Sequence, residues 1–140
     1  REWGMKPFFI DTSGWCALYD KSDANHRTAI PFWAEAAEKN GTLYTTDYVI
    51  DETLTLLNVR MNHAAAVEFG RVMLSSEVIE ILPISKSRWG NAWKVFAKYN
   101  DKSFSFTDCT SFAVMYELGL KEVFTFDKHF KQMGFLCIPV

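Results

Sequence analysis

No apolar run in this chain approaches the ~20 residues needed to cross a bilayer, which removes membrane-spanning classes. The first residues, REWGMKPFFI, carry charge and a proline where a signal peptide needs its apolar stretch. Cysteine is scarce. Cys16, Cys109 and Cys137 cannot all pair within one chain and none forms a C-x-x-C, so buried free thiols in a reducing compartment are expected. His26, His63 and His129 have no mutual spacing suited to zinc. No G-x-G-x-x-G follows the first strand-like segment, which excludes a dinucleotide-binding enzyme. Positive charge is not in excess either. A net charge of -2 argues against broad capture of phosphates, but not against an acidic site whose bound ions reverse the local sign. Repeats, linkers and low-complexity segments are missing too. The expectation is a cytoplasmic protein of one domain, 5–140, with Met5 as the natural start and Arg1 to Gly4 a remnant of expression.

What is present suits a packed core. The chain has 140 residues, 49% of them hydrophobic, and 12 are Phe, so an aromatic-rich core is expected. PFFI (7–10), LYTT (43–46), VIEILPI (78–84), VFTF (123–126) and FLCIP (135–139) read as short apolar strands. Between them lie stretches of helical period: 12–20, 23–41, 47–61, 62–76, 88–101 and 106–120. A short KHFKQMG turn of helix precedes the last strand. Gly14 weakens the first helix, and Pro31 predicts a kink or a split in the second. Ser85 or Ser87 can cap the fifth, and Gly119 stops the sixth. Apolar strands separated by helices predict an α/β domain whose central parallel sheet is covered on both faces.

Four acids stand out by place. Asp11 directly follows the first strand, and Asp127 the fourth. Asp108 sits in the first turn of a helix with Thr107 or Ser105 as its cap, and Glu52 lies in the first turns of the helix after the second strand. In an open parallel sheet the strands' carboxyl ends share the edge where ligands bind. Each acid alone has an ordinary structural role, as a turn residue or a helix-dipole partner. Together they point to one site, and clustered carboxylates need a hard divalent cation to offset their repulsion. Two such ions suit hydrolysis of a phosphodiester.

Taken in order, FFIDTSGW, VIDETLTLLNVR, FTDCTSFAVM, VFTFDKHF and the trailing GF resemble the motifs of PIN-domain ribonucleases, most closely the VapC-type toxins of toxin–antitoxin pairs. The likeness runs from about Pro7 to Val140. It implies a three-layer domain on a five-stranded parallel sheet and Mg²⁺- or Mn²⁺-dependent cleavage of RNA. It also implies 5′-phosphate and 3′-hydroxyl ends, a homodimer and an antitoxin protein as partner. The family's acidic quartet matches Asp11, Glu52, Asp108 and Asp127, as catalytic residues and metal ligands, and its accompanying hydroxyl matches Thr12 or Ser13. Asp51 rivals Glu52, but adjacent helical residues point about 100° apart, and the family pattern favours Glu52.

Among the basic residues, Arg60 and Lys128 are candidates for phosphate contact, with Lys131 beside them. Lys94, Lys98 and Lys102 read as a solvated face behind a core stripe of Trp89, Trp93 and Phe96, with a rail for RNA phosphate as the functional alternative. Trp15 and Trp33 are expected in the core, His26 and His63 at the surface, and His129 as support for the turn after Asp127. Helices within 47–75 carry more apolar surface than one small domain covers. Two other classes compete with the nuclease. A phosphorelay receiver would need an Asp ending the third strand, which VIEILPI lacks. A PIN-like RNA-binding or scaffolding module with a structural ion is disfavoured by the complete quartet.

Overall fold

The computed structural model describes residues 6–39 and 41–140; the expected start at Met5 and the remnant before it lie outside them. Five parallel strands form one sheet: β1 (Phe9–Ile10), β2 (Leu43–Thr46), β3 (Ile79–Leu82), β4 (Glu122–Phe124) and β5 (Leu136–Ile138), in the order β3-β2-β1-β4-β5. The described helices are α1 (Thr12–Tyr19), α2 (His26–Lys39), α3 (Asp47–Arg60), α4 (His63–Ser75), α5 (Lys86–Lys98), α6 (Phe106–Leu118) and α7 (Lys128–Gln132). The chain walks outward from β1 to β3, then returns to add β4 on β1's other side. That reversal opens a crevice at the carboxyl ends of β1 and β4, the place where open α/β sheets bind ligands.

The expected parallel α/β sheet and aromatic core are both present. Phe9, Ile10, Val123 and Phe124 are buried in the central strands, with Phe8 buried just before β1, and Trp15, Phe69, Phe112 and Phe130 seal the helices onto them. Trp15 meets Phe69 edge to face and donates its indole N–H to Thr45 Oγ1 at 3.3 Å. Gly14 has a positive reason to be glycine. A Cβ there would stand 2.6 Å from the Phe124 carbonyl oxygen, so α1 lies closer to β4 than any side chain allows.

Three expectations need correction. Pro31 does not split α2, which runs unbroken from His26 to Lys39. Both Pro31 and Arg27, whose carbonyl the missing N–H would have met, are exposed, so water can satisfy that carbonyl. β4 ends at Phe124 rather than at residue 126. The N–H groups of Phe126 and Asp127 are taken by the hydroxyls of Ser13 and Thr125, at 2.9 and 3.0 Å, which turns the chain off the sheet. Trp89, Trp93 and Phe96 are not a core stripe: each is over 40% exposed, and the buried residue of α5 is Ala92. The expected excess of apolar surface within 47–75 is visible at Val59 and Leu74, which are largely exposed. Cys16, Cys109 and Cys137 are free, and burial pushes the Cys16 and Cys109 thiols up to about 11. No described helix is long and apolar enough to cross a membrane.

Candidate active site

β1 delivers Asp11 to the sheet's carboxyl edge, where its N–H bonds the Phe124 carbonyl of β4 at 3.1 Å. Asp127 caps α7 by accepting the His129 N–H at 2.9 Å, so the two aspartates flank the crevice between β1 and β4. Asp108 arrives from the first turn of α6. Ser105 accepts the Asp108 N–H at 2.9 Å and Asp108 Oδ2 accepts the Ser105 N–H at 3.1 Å, a reciprocal cap that fixes the helix start and its carboxylate together. This settles the cap between the two residues available in the sequence, in favour of Ser105. Glu52 comes from the second turn of α3, begun by the Thr46 cap, and accepts the Thr12 hydroxyl at 2.6 Å.

All four acids, together with Thr12, Ser13 and Arg60, line one cleft of about 350 Å³. Asp51 is exposed and outside it, as the helical angle between neighbours requires. Arg60 is the only Lys or Arg among the described residues lining the cleft, and its Nη1 stands 3.8 Å from Asp23 Oδ2. Lys128 and Lys131 are exposed on α7 and do not line it.

Two contributors escaped the sequence reading. Thr125 is buried, donates to Asp11 Oδ2 at 3.0 Å and lies 2.9 Å from the Ser13 hydroxyl, so it holds Asp11 and the Asp127 turn together. Its signal was parity: residues two apart in an extended segment share a face, and Thr125 precedes Asp127 by two. His129 supports the turn as expected, but its ring also enters the cleft. Its Nδ1 lies 2.9 Å from Asp108 Oδ2 and 3.2 Å from Asp127 Oδ1. With carboxylate oxygens on both sides, Nδ1 is the nitrogen that carries hydrogen. On the ring's far side Nε2 is 3.3 Å from Ser103 Oγ.

The electrostatics follow from this crowding. Burial, reinforced by Asp108 and Asp127, raises the Asp11 carboxyl to about 7 against the bonds from Thr12 and Thr125. Asp108 is also raised, chiefly by burial and then by Asp127, with the Ser105 N–H and His129 acting in opposition. Hard oxygen donors gathered at a partly open cleft, carrying charge they cannot offset among themselves, are the donor set that suits Mg²⁺ or Mn²⁺. Carboxylate oxygens of Asp108 and Asp127 lie within 4.8 Å of each other, and His129, whose Nδ1 donates toward them, positions them rather than offering a ligand atom.

Comparison with known proteins agrees with this geometry. The PIN domain family matches residues 8–136. The 23S rRNA-specific endonuclease VapC20 of Mycobacterium tuberculosis is 38% identical over 128 residues, covering 91% of this chain and 95% of that protein. Its crystal structure, described as a sarcin-ricin loop cleaving toxin, superposes with a TM-score of 0.85 at 36% identity, over 92% of this chain and 96% of that one. A VapC ribonuclease of Archaeoglobus fulgidus is 33% identical over 123 residues, 86% of this chain and 77% of that protein. A chain of the Rickettsia felis VapBC2 complex, solved on a promoter DNA fragment, shares the fold alone. It gives a TM-score of 0.67 at 12% identity, over 94% of this chain and 96% of that one. With its acids gathered at the β1–β4 crevice and these relatives along nearly its whole length, the chain belongs to the PIN-domain family, among its VapC-type ribonucleases.

Proposed function

We propose that this protein is a metal-dependent endoribonuclease that hydrolyses RNA phosphodiester bonds, and that it is the toxin of a toxin–antitoxin pair. One observation carries the reading. Four separate chain segments bring Asp11, Glu52, Asp108 and Asp127 into one cleft, where Asp11 is charged at neutral pH only against burial and its neighbours. Asp11 and Asp108 would hold a Mg²⁺ or Mn²⁺ ion, with Asp127 as a ligand of a second ion or through water. When bound, the ion supplies Lewis acidity and offsets charge building on the phosphate. The chain's own groups set the geometry. Thr12 orients Glu52, which is placed to align the attacking water, while Thr125 and Ser13 fix Asp11, and His129 keeps Asp108 and Asp127 apart but facing the same space. Arg60, at the cleft rim, would meet a substrate phosphate.

The relative that is 38% identical is named for action on 23S rRNA, so that RNA is the first substrate to offer. An antitoxin protein and a second copy of this chain are the proposed partners; exposed Val59 and Leu74 supply surface for them. The test is cleavage of total RNA and of 23S rRNA by purified protein in Mg²⁺, in Mn²⁺ and in EDTA, with Asp108→Asn in parallel and 5′ ends mapped. Discrete cuts that need metal and vanish in the variant support the proposal. No cutting, or cutting that is equal in the variant, would sink it and leave the PIN-like binding module.

A further inference from the structure

Of the acids that line the cleft, Arg60 pairs with the one outside the quartet. Its Nη1 stands 3.8 Å from Asp23 Oδ2. Local geometry favours a different partner. Glu52, Leu56 and Arg60 recur every four residues along α3, so they form a stripe on one face, and all three line the cleft. Helical side chains lean toward the N-terminus, which aims Arg60 down the stripe at Glu52. Glu52 instead accepts the Thr12 hydroxyl at 2.6 Å. No ion pair joins Arg60 to Asp11, Glu52, Asp108 or Asp127 among the described residues.

The turn between α1 and α2 accounts for this. Asp23 Oδ1 accepts the Asn25 N–H at 2.8 Å, which fixes the carboxylate and leaves Oδ2 to face Arg60. Behind it, Asp20 is buried, and its Oδ1 accepts the Ser22 N–H at 3.0 Å and the Ser22 hydroxyl at 2.6 Å. The Ser22 hydroxyl foremost, then the Ser22 N–H and the Arg60 charge, hold the Asp20 carboxyl below its ordinary value. The turn therefore sets two anionic groups against one guanidinium. As a structural tie the pair is poor. The Arg60 side chain is 45% exposed and that of Asp23 16%, and an ion pair this open to water contributes little to stability. As a device for aiming a long side chain it is better made, because its carboxylate is held by the backbone.

We infer that Asp23 is a positioning residue, which holds Arg60 away from the catalytic acids so that the guanidinium grips a phosphate flanking the one that is cut. The inference rests on the ribonuclease reading. At ~1.5 Å of rise per residue, the Arg60 backbone lies about 12 Å along α3 from that of Glu52. A strand laid through the cleft presents a different phosphate at each end of that stripe. Arg60 is the only Lys or Arg among the described residues lining the cleft, so it is the group there that attracts the polyanion. Released from Asp23, it would fold onto Glu52 and be lost to the substrate.

The experiment measures steady-state cleavage by the full chain in Mg²⁺ or Mn²⁺, on a short RNA spanning the mapped cut. Asp23→Asn keeps an oxygen for the Asn25 N–H and removes the charge. It is expected to raise KM about tenfold while kcat falls less than about twofold, because binding is lost and not chemistry. Arg60→Ala should behave alike, and the double variant should be no worse than Arg60→Ala alone. In further substrates, the phosphate on one side of the cut or the other is replaced by an uncharged methylphosphonate. One of these replacements should raise the wild-type KM to the same degree and leave that of Arg60→Ala unmoved. Equal melting temperatures check that the variants fold. An unchanged KM in Asp23→Asn, or a loss that adds to that of Arg60→Ala, would overturn the positioning role. A fall in kcat at constant KM would do so too, since Arg60 would then act on the reacting phosphate. If wild type cuts no RNA at all, the ribonuclease reading fails first and the role of Asp23 falls with it.

Discussion

The Asp11 carboxyl lies beneath the cleft, 3% exposed, and faces Asp108 and Asp127. Its proton is held to about pH 7, above the ordinary value of 3.8. The metal-free folded chain therefore keeps a proton that the unfolded chain releases between about pH 4 and 7, so its stability falls as pH rises through that window. Asp11→Asn removes this cost. We expect the EDTA-treated variant to melt higher than wild type at about pH 8, by up to ~4 kcal/mol, with a flatter pH dependence and no cleavage. Melting curves across that pH range check it, and a variant that melts lower would mean that Asp11 acts as a structural cap. Asp108 is a poorer probe of the same repulsion. Its carboxylate also closes the Ser105 cap and accepts His129, so Asp108→Asn trades relieved repulsion against weakened hydrogen bonds. A gain in stability on neutralisation is therefore expected at Asp11 and not at Asp108. A third residue-level comparison separates neighbours: Glu52→Gln should cost at least about a hundredfold in cleavage rate, while exposed Asp51→Asn should leave it within about twofold.

At the scale of elements, one helix start and one close approach hold the acids in register. Ser105→Ala removes the acceptor for the Asp108 N–H and should cost ~1 kcal/mol of stability, measured by urea unfolding. Gly14→Ala should cost more, ~1–3 kcal/mol, because α1 must back away from the Phe124 carbonyl and carry Thr12 and Ser13 with it. Cleavage should fall with it, and full activity in a destabilised Gly14→Ala protein would show that the α1 position is not critical. Both devices were half visible. A serine three residues before an acid reads as a cap, whereas the tightness at Gly14 depends on β4, more than a hundred residues later in the chain. The reading of α5 failed for a related reason. Its helical period was legible, but aromatic residues on one face look the same whether a neighbour covers them or water does. Only the position of α6 showed that Ala92 is the buried contact.

For the whole molecule, the ion and the fold should be linked. Four acids drawn from distant segments leave the folded chain with repulsion that the unfolded chain does not feel. Mg²⁺ or Mn²⁺ that binds only the folded form stabilises it by RT ln(1 + [L]/Kd), ~2.7 kcal/mol at a hundred times Kd. We expect either ion to raise the melting temperature of wild type at about pH 8. The rise should shrink toward about pH 5, where Asp11 is protonated, and be much reduced in Asp11→Asn. Equal shifts in wild type and variant would place the ion elsewhere.

The sequence by itself pointed to the parallel α/β class, the order of its elements and the four acids that the fold gathers in one cleft. These follow from local signals: apolar runs of strand length, helical periods, caps, and motifs contiguous along the chain. Tertiary structure alone decided what the acids do to one another. The strand order β3-β2-β1-β4-β5 puts β1 beside β4 and so brings Asp11 within reach of Thr125 and the Asp127 turn. The raised Asp11 carboxyl, the His129 ring between two aspartates and the uncovered rings of α5 all depend on distances between segments far apart in sequence. Such distances have no local period, so they became legible only once the sheet was assembled.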